Sequence, residues 1–181
     1  MSSRDGNIKA YFDAARRKVR IAEYHLEELT RRLSDAPKPR PSDLCPTIAI
    51  QAHFEGIVIS VVATVDQIAQ AINEECDLEA SPGDLFDKAY GNLAPKIPRL
   101  RIWCEKLIGR DLRRIRTRVV HYQYTKLPLG EGQDGWQVED AGLGFRPREL
   151  IAYGKAAVLH AHELIDLIPA IQSEISGERS G

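Results

Sequence analysis

Cysteine is scarce and scattered. Three stand among the 181 residues, Cys45, Cys76 and Cys104, and no Cys-x-x-Cys pair occurs. A disulfide framework and a zinc ribbon are therefore not expected. Long apolar runs are also missing. The most apolar stretch, Gly56 to Val65, covers ten residues between Glu55 and Asp66, too few to span a bilayer. The N-terminal MSSRDGNIKA has no apolar core, so no leader is expected. Charge of one sign is absent from the whole, with 25 Lys and Arg against 26 Asp and Glu, net −1. The molecule is no polycation built around nucleic acid. What is present is ordinary globular material, 43% hydrophobic and 28% charged. These features describe a protein of a reducing cytosol with no membrane association.

Hydrophobic spacing predicts helices. From about residue 5 to 33, Ile8, Phe12, Ala15, Val19, Ala22, Leu26, Leu29 and Leu33 recur at intervals of four and three, the seam of a bundle helix. Pro37, Pro39, Pro41 and Pro46 mark an extended connection. Thr47 is expected to cap a second helix running to about Cys76, apolar nearly all round in its middle and so central to the bundle. Ser81-Pro82-Gly83-Asp84 predicts the start of a short helix through Tyr90. Helical pieces are expected at 99–108 and 111–124, divided at Gly109. Five glycines between Lys126 and Arg146 disfavour helix, and Gly135 to Glu139 reads as one arm of a hairpin. Pro147 opens a last helix to about Ile175, in which Pro169 should bend or be tolerated. The fold class is all-α: an antiparallel, four-helix-type bundle with one Gly-rich loop or hairpin insertion, residues 1–181 forming one domain.

The charge is unevenly placed. Lys96 to Lys126 holds ten Lys and Arg and only two acids, Glu105 and Asp111, a local +8 against −9 for the remainder. A solvated face mixes signs, so an anionic partner is the sharper reading. The bland one is that the Arg stems cover apolar surface and pair with acids elsewhere.

Inside that segment lies Arg116-Thr-Arg-Val-Val-His121-Tyr-Gln-Tyr124. An Arg, four to six residues and a His on a late helix of a bundle resembles the HEPN superfamily. Many members of that family are metal-independent endoribonucleases. The resemblance implies RNA as substrate, Arg116 and His121 as catalytic residues, and Arg113, Thr117, Arg118 and Tyr124 as substrate contacts. It implies no cofactor and no metal. It also implies a homodimer, and an antitoxin or other regulatory protein as a further partner. The residue types suit the chemistry. RNA carries its own nucleophile in the 2′-hydroxyl, a His titrates near neutral pH, and an Arg holds phosphate. Two positions depart from the family pattern. Thr117 stands where Asn or Asp is frequent, and Gln123 stands where family toxins carry Tyr, with Tyr122 and Tyr124 on either side. The alternative is a catalytically silent bundle that binds RNA or a protein.

Other groups carry less. His160-x-His162 with Asp166 reads as a surface set with too few ligands for a metal. His25 and His53 read as separate packing or surface positions. Glu55 and Asp66 on the apolar second helix need partners, which the basic helix could supply. The Gly-rich stretch 130–144 holds no Gly-Lys-Ser/Thr after a strand, so no nucleotide cradle is expected.

Overall fold

The structure, a computed structural model, describes residues 3–35, 44–121, 129–132, 135–138 and 147–177; at 3–5, 35, 44–47, 114, 116–121, 147–149 and in the two strands it is the backbone that is described. Six helices and one hairpin follow in order: α1 Ser3–Asp35, α2 Leu44–Glu75, α3 Leu85–Leu93, α4 Pro98–Glu105, α5 Leu107–His121, β1 Leu129–Gly132, β2 Gly135–Val138 and α6 Pro147–Gly177. The architecture is an all-α helical bundle. β1 and β2 pair antiparallel, from Leu129 opposite Val138 to Gly132 opposite Gly135. The hairpin arm expected at 135–139 is thus present.

The four-three stripes become the core. Phe12, Ala15, Val19, Ala22 and Leu29 of α1 are buried, as are Leu150, Ala157, Ala161, Leu164, Ile168, Ile171 and Ile175 of α6. The broadest helix interface is α1 against α2, and both also pack on α6. By length and composition Ile48–Glu75 would pass for a membrane span, with a mean hydropathy of 1.7. Half of its most apolar part is buried within the bundle. α2 packs against α1, α3, α5 and α6, so Ile50, Ile57, Val58, Val61, Ile68 and Ile72 are buried. At the meeting of three helices the packing around Gly154 is tight. A Cβ on Gly154 would lie 3.0 Å from Leu26 Cδ1 and 3.2 Å from Ile57 Cδ1.

Several expected boundaries move. α2 begins at Leu44, ahead of Thr47, so Pro46 lies in its first turn, where its missing N–H costs no bond. α3 begins at Leu85 and leaves Pro82 outside it; Ser81 Oγ donates to Asp84 Oδ2 at 3.0 Å in the turn before. α6 runs through Pro169, which sits on its exposed side.

The most informative correction concerns α4 and α5. The break falls at Lys106, in an extended conformation (φ −65°, ψ 132°), and not at Gly109. Trp103 and Leu112 are both buried. On one continuous helix, residues nine apart would sit about 180° around the axis, on opposite faces. Breaking the helix between them turns both into the core. Lys106 Nζ donates to both carboxylate oxygens of Glu163 on α6, holding the joint at its surface end.

Candidate functional site

α5 is an amphipathic helix seated by one narrow apolar row. Leu112 and Ile115 are buried and Ile108 is partly so, packed against α2 and α6. The register continues to the last turns. Positions Arg110, Arg114, Thr117 and His121 follow one another at intervals of four, three and four, a line on the side away from Leu112 and Ile115. Arg116 lies five residues before His121, about 140° away around the axis. One copy of α5 therefore does not set these two positions side by side. Arg118 also falls within α5, off that line. Tyr124 lies outside the described residues.

Arg113 is the one expected substrate contact whose side chain is described. Its guanidinium lies 3.6 Å from the centroid of the Phe86 ring on α3, an attraction of cation for ring face. Burial lowers its pKa from the usual arginine value, and nearby Asp87 opposes the change. It also lines a small cavity with Val61, Val65, Asp66, Trp103 and His160. The cavity holds ≈ 20 Å³, room for one water and not for a sugar or base.

The neighbouring basic side chains are partly answered within the fold. Lys96 lies 3.8 Å from Glu174 and Lys106 pairs with Glu163, both acids of α6; Arg101 lies 3.2 Å from Glu105 on its own helix. These pairs are exposed and individually weak. They still lower the local positive charge that the sequence suggests. Arg99 and Arg110 have no ion pair among the described residues, so free positive charge persists on α4 and along the outward line of α5.

His160 departs most from expectation. It is 2% exposed, not on the surface, and its ring stacks on Trp103 with centroids 4.3 Å apart and planes 7° from parallel. Trp103 Nε1 donates to the His160 carbonyl oxygen at 2.8 Å. The His160 Nδ1 atom is buried without a hydrogen bond among the described residues; Glu163 Oε2 stands 3.9 Å off, beyond bonding reach. Burial pushes the His160 pKa down to about 4, with Glu163 opposing and Lys106 and Arg113 adding to the effect. The imidazole is neutral at pH 7. Its burial had a signal in the sequence, since Ala157, His160 and Leu164 also follow a three-four spacing on α6. His162 is half-exposed and meets Glu23 of α1 at 2.7 Å.

The same ring explains Gly109. A Cβ there would lie 2.9 Å from His160 Nε2, closer than such atoms approach. Gly109→Ala is expected to cost about 1–2 kcal/mol, the overpacking penalty less the helix-propensity gain. Urea unfolding of the pair of proteins measures it; an unchanged midpoint would show that the ring yields freely.

Glu55 accepts from Gln51 Nε2 at 2.7 Å, a local bond with no help from the basic helix. Asp66 lines the cavity shared with Arg113. Among the described residues, no three His, Cys, Asp or Glu side chains gather as a metal site. No protein-family model, no curated protein and no solved structure matches the chain.

Proposed function

We propose that the protein is a metal-independent endoribonuclease of HEPN type, acting in the cytosol, in which Arg116 and His121 of α5 operate on the RNA phosphodiester. The observation that carries the reading is the Arg-x4-His motif within the last two turns of a basic bundle helix whose register lines Arg110, Arg114 and Thr117 up with His121. In this mechanism the 2′-hydroxyl attacks the adjacent phosphorus. His121 accepts its proton or protonates the departing 5′-oxygen. Arg116 stabilises the negative charge that grows on the phosphoryl oxygens. Arg113, Thr117, Arg118 and Tyr124 are the proposed RNA contacts. Of these, Arg113 would have to reach RNA from its seat on Phe86.

The angular separation of Arg116 and His121 gives the second element of the proposal. A two-fold pair of α5 helices would bring Arg116 of one copy towards His121 of the other. A strict monomer would favour the alternative, an RNA-binding or protein-interaction module without cleavage. A regulatory or antitoxin-like partner fits either reading.

Incubating the full chain with structured and single-stranded RNAs in EDTA tests the chemistry. Cleavage is expected to persist, and each 5′ fragment should end in a 2′,3′-cyclic phosphate. Light scattering at micromolar concentration should give a dimer. Cleavage that requires a divalent metal would overturn the mechanism. RNA binding without cleavage would leave the module reading in its place.

A further inference from the structure

Two histidines assigned to separate roles by the sequence meet across the α1–α2 interface. His25 Nδ1 and His53 Nδ1 lie 3.1 Å apart. On the far side of the second ring, Arg32 Nε donates to His53 Nε2 at 3.1 Å. A guanidinium has no acceptor atom. His53 Nε2 must therefore present its lone pair, and the His53 proton sits on Nδ1. That proton points at His25 Nδ1, which accepts it, so the His25 proton sits on Nε2. The chain Arg32 to His53 to His25 has one consistent set of protons, and in it both imidazoles are neutral.

The place where this chain ends is also constrained. The His25 ring lies against the α2 backbone at Gly56, where a Cβ would come within 2.5 Å of Cδ2 and Nε2. Only glycine leaves room for the ring there. Tyr24 closes the outer side edge-on, its ring centroid 5.5 Å from that of His25 and 6.4 Å from that of His53.

An added proton has no harmless site. On His53 Nε2 it faces the Arg32 N–H and removes that bond. On His25 Nδ1 it sets two N–H groups against each other across 3.1 Å. The charged neighbours do not offset this. From α1 come Arg31, Arg32 and Glu28, and Glu28 is already bonded to Arg31 at 2.6 Å and lies 3.9 Å from Arg32. From α2 comes His53 itself, and among the described residues no charged group of α6 acts on either ring. Burial lowers the pKa of both rings; at His53 a proton on His25 would lower it further, Arg32 and Arg31 add to the effect and Glu28 opposes.

We propose that Arg32, His53 and His25 form a proton-operated latch, holding the C-terminal part of α1 against the N-terminal part of α2 while both imidazoles are neutral and releasing it on acidification. The opposite end of the helix pair is fastened without a histidine, by Tyr11 Oη donating to Glu74 Oε1 at 2.7 Å. The response is therefore local. It loosens the end from which the proline-rich stretch 36–43 connects the two helices.

Two measurements test it. Nitrogen NMR near neutral pH should show His53 protonated on Nδ1 and His25 on Nε2. Amide exchange, corrected for its intrinsic pH dependence, should then report local opening. Protection around residues 25–34 and 49–57 should fall on the order of tenfold between about pH 7.5 and pH 5, while residues near Tyr11 and Glu74 change little. His53→Gln is the decisive variant. Its amide N–H can still donate to His25 and its carbonyl oxygen can accept from Arg32, but it does not titrate. It should keep the protection and lose the part of the pH dependence that His53 carries, leaving only the response of His25. Arg32→Leu removes the tautomer constraint and should move the acid response to higher pH. The opposite tautomers, a wild-type end whose protection ignores pH, or a His53→Gln protein with the wild-type response would each overturn the latch.

Discussion

His121→Ala is expected to slow RNA cleavage on the order of 10²–10⁴-fold, the usual range for a lost general acid or base. The fold should survive the change. Position 121 closes α5 on the line away from the buried Leu112 and Ile115, the row that seats the helix. RNA affinity should largely hold as well, because phosphate attraction rests chiefly on Arg and Lys. Arg116→Ala should lose comparable activity, while Arg116→Lys recovers a fraction at most, since an ammonium lacks the planar fork. Mixing the two single variants gives a sharper check. If each site uses Arg116 of one copy and His121 of the other, the mixture should regain activity that neither variant has alone. Measured rates that are unaffected by His121→Ala would dismiss the proposed mechanism.

Acid should destabilise the protein through His160, with a cost of about 3 kcal/mol as pH falls from 6.5 to about 4. The sign follows from the direction of the shift. The folded chain holds His160 neutral, and the unfolded chain takes up a proton once pH drops below 6.5. Stability from this group is thus complete above 6.5, lost progressively down to about 4 and constant below that. The ring cannot turn to water, being stacked on Trp103 and pressed against Gly109. Urea unfolding at about pH 7.5, 5.5 and 4 should show the loss. His160→Gln should be less stable at neutral pH, because the stack with Trp103 is gone. It should also show a shallower acid slope. An acid slope equal to the wild type's would assign the dependence to other groups.

Legibility from sequence followed periodicity. Three long helices could be placed to within a few residues because burial repeats every three or four positions along them, and α5 and the second hairpin strand were also legible. Short elements fared worse. α3 starts after Pro82 because a turn bond and not a cap sets its beginning. The α4–α5 break could be located only by knowing that Trp103 and Leu112 must both face inward, which no local pattern states. For the candidate site, Arg116 and His121 were visible as a motif and their helix as a basic segment. That Lys96 and Lys106 find acids on α6, and that Arg113 lies on Phe86, depends on which helices become neighbours.

The division between the two sources of knowledge is clearest at the histidines. By itself the sequence determined an all-α chain, its apolar stripes, a basic late helix and a motif suited to phosphate chemistry, because each is a property of spacing or composition along one element. The environment of an ionisable group is not such a property. His160 is neutral because burial under Trp103 of another helix lowers its pKa, and burial where α1 meets α2 lowers the pKa of His25 and His53. Solvation and hydrogen bonding set a proton's affinity, and both are fixed by contacts between residues far apart in the chain.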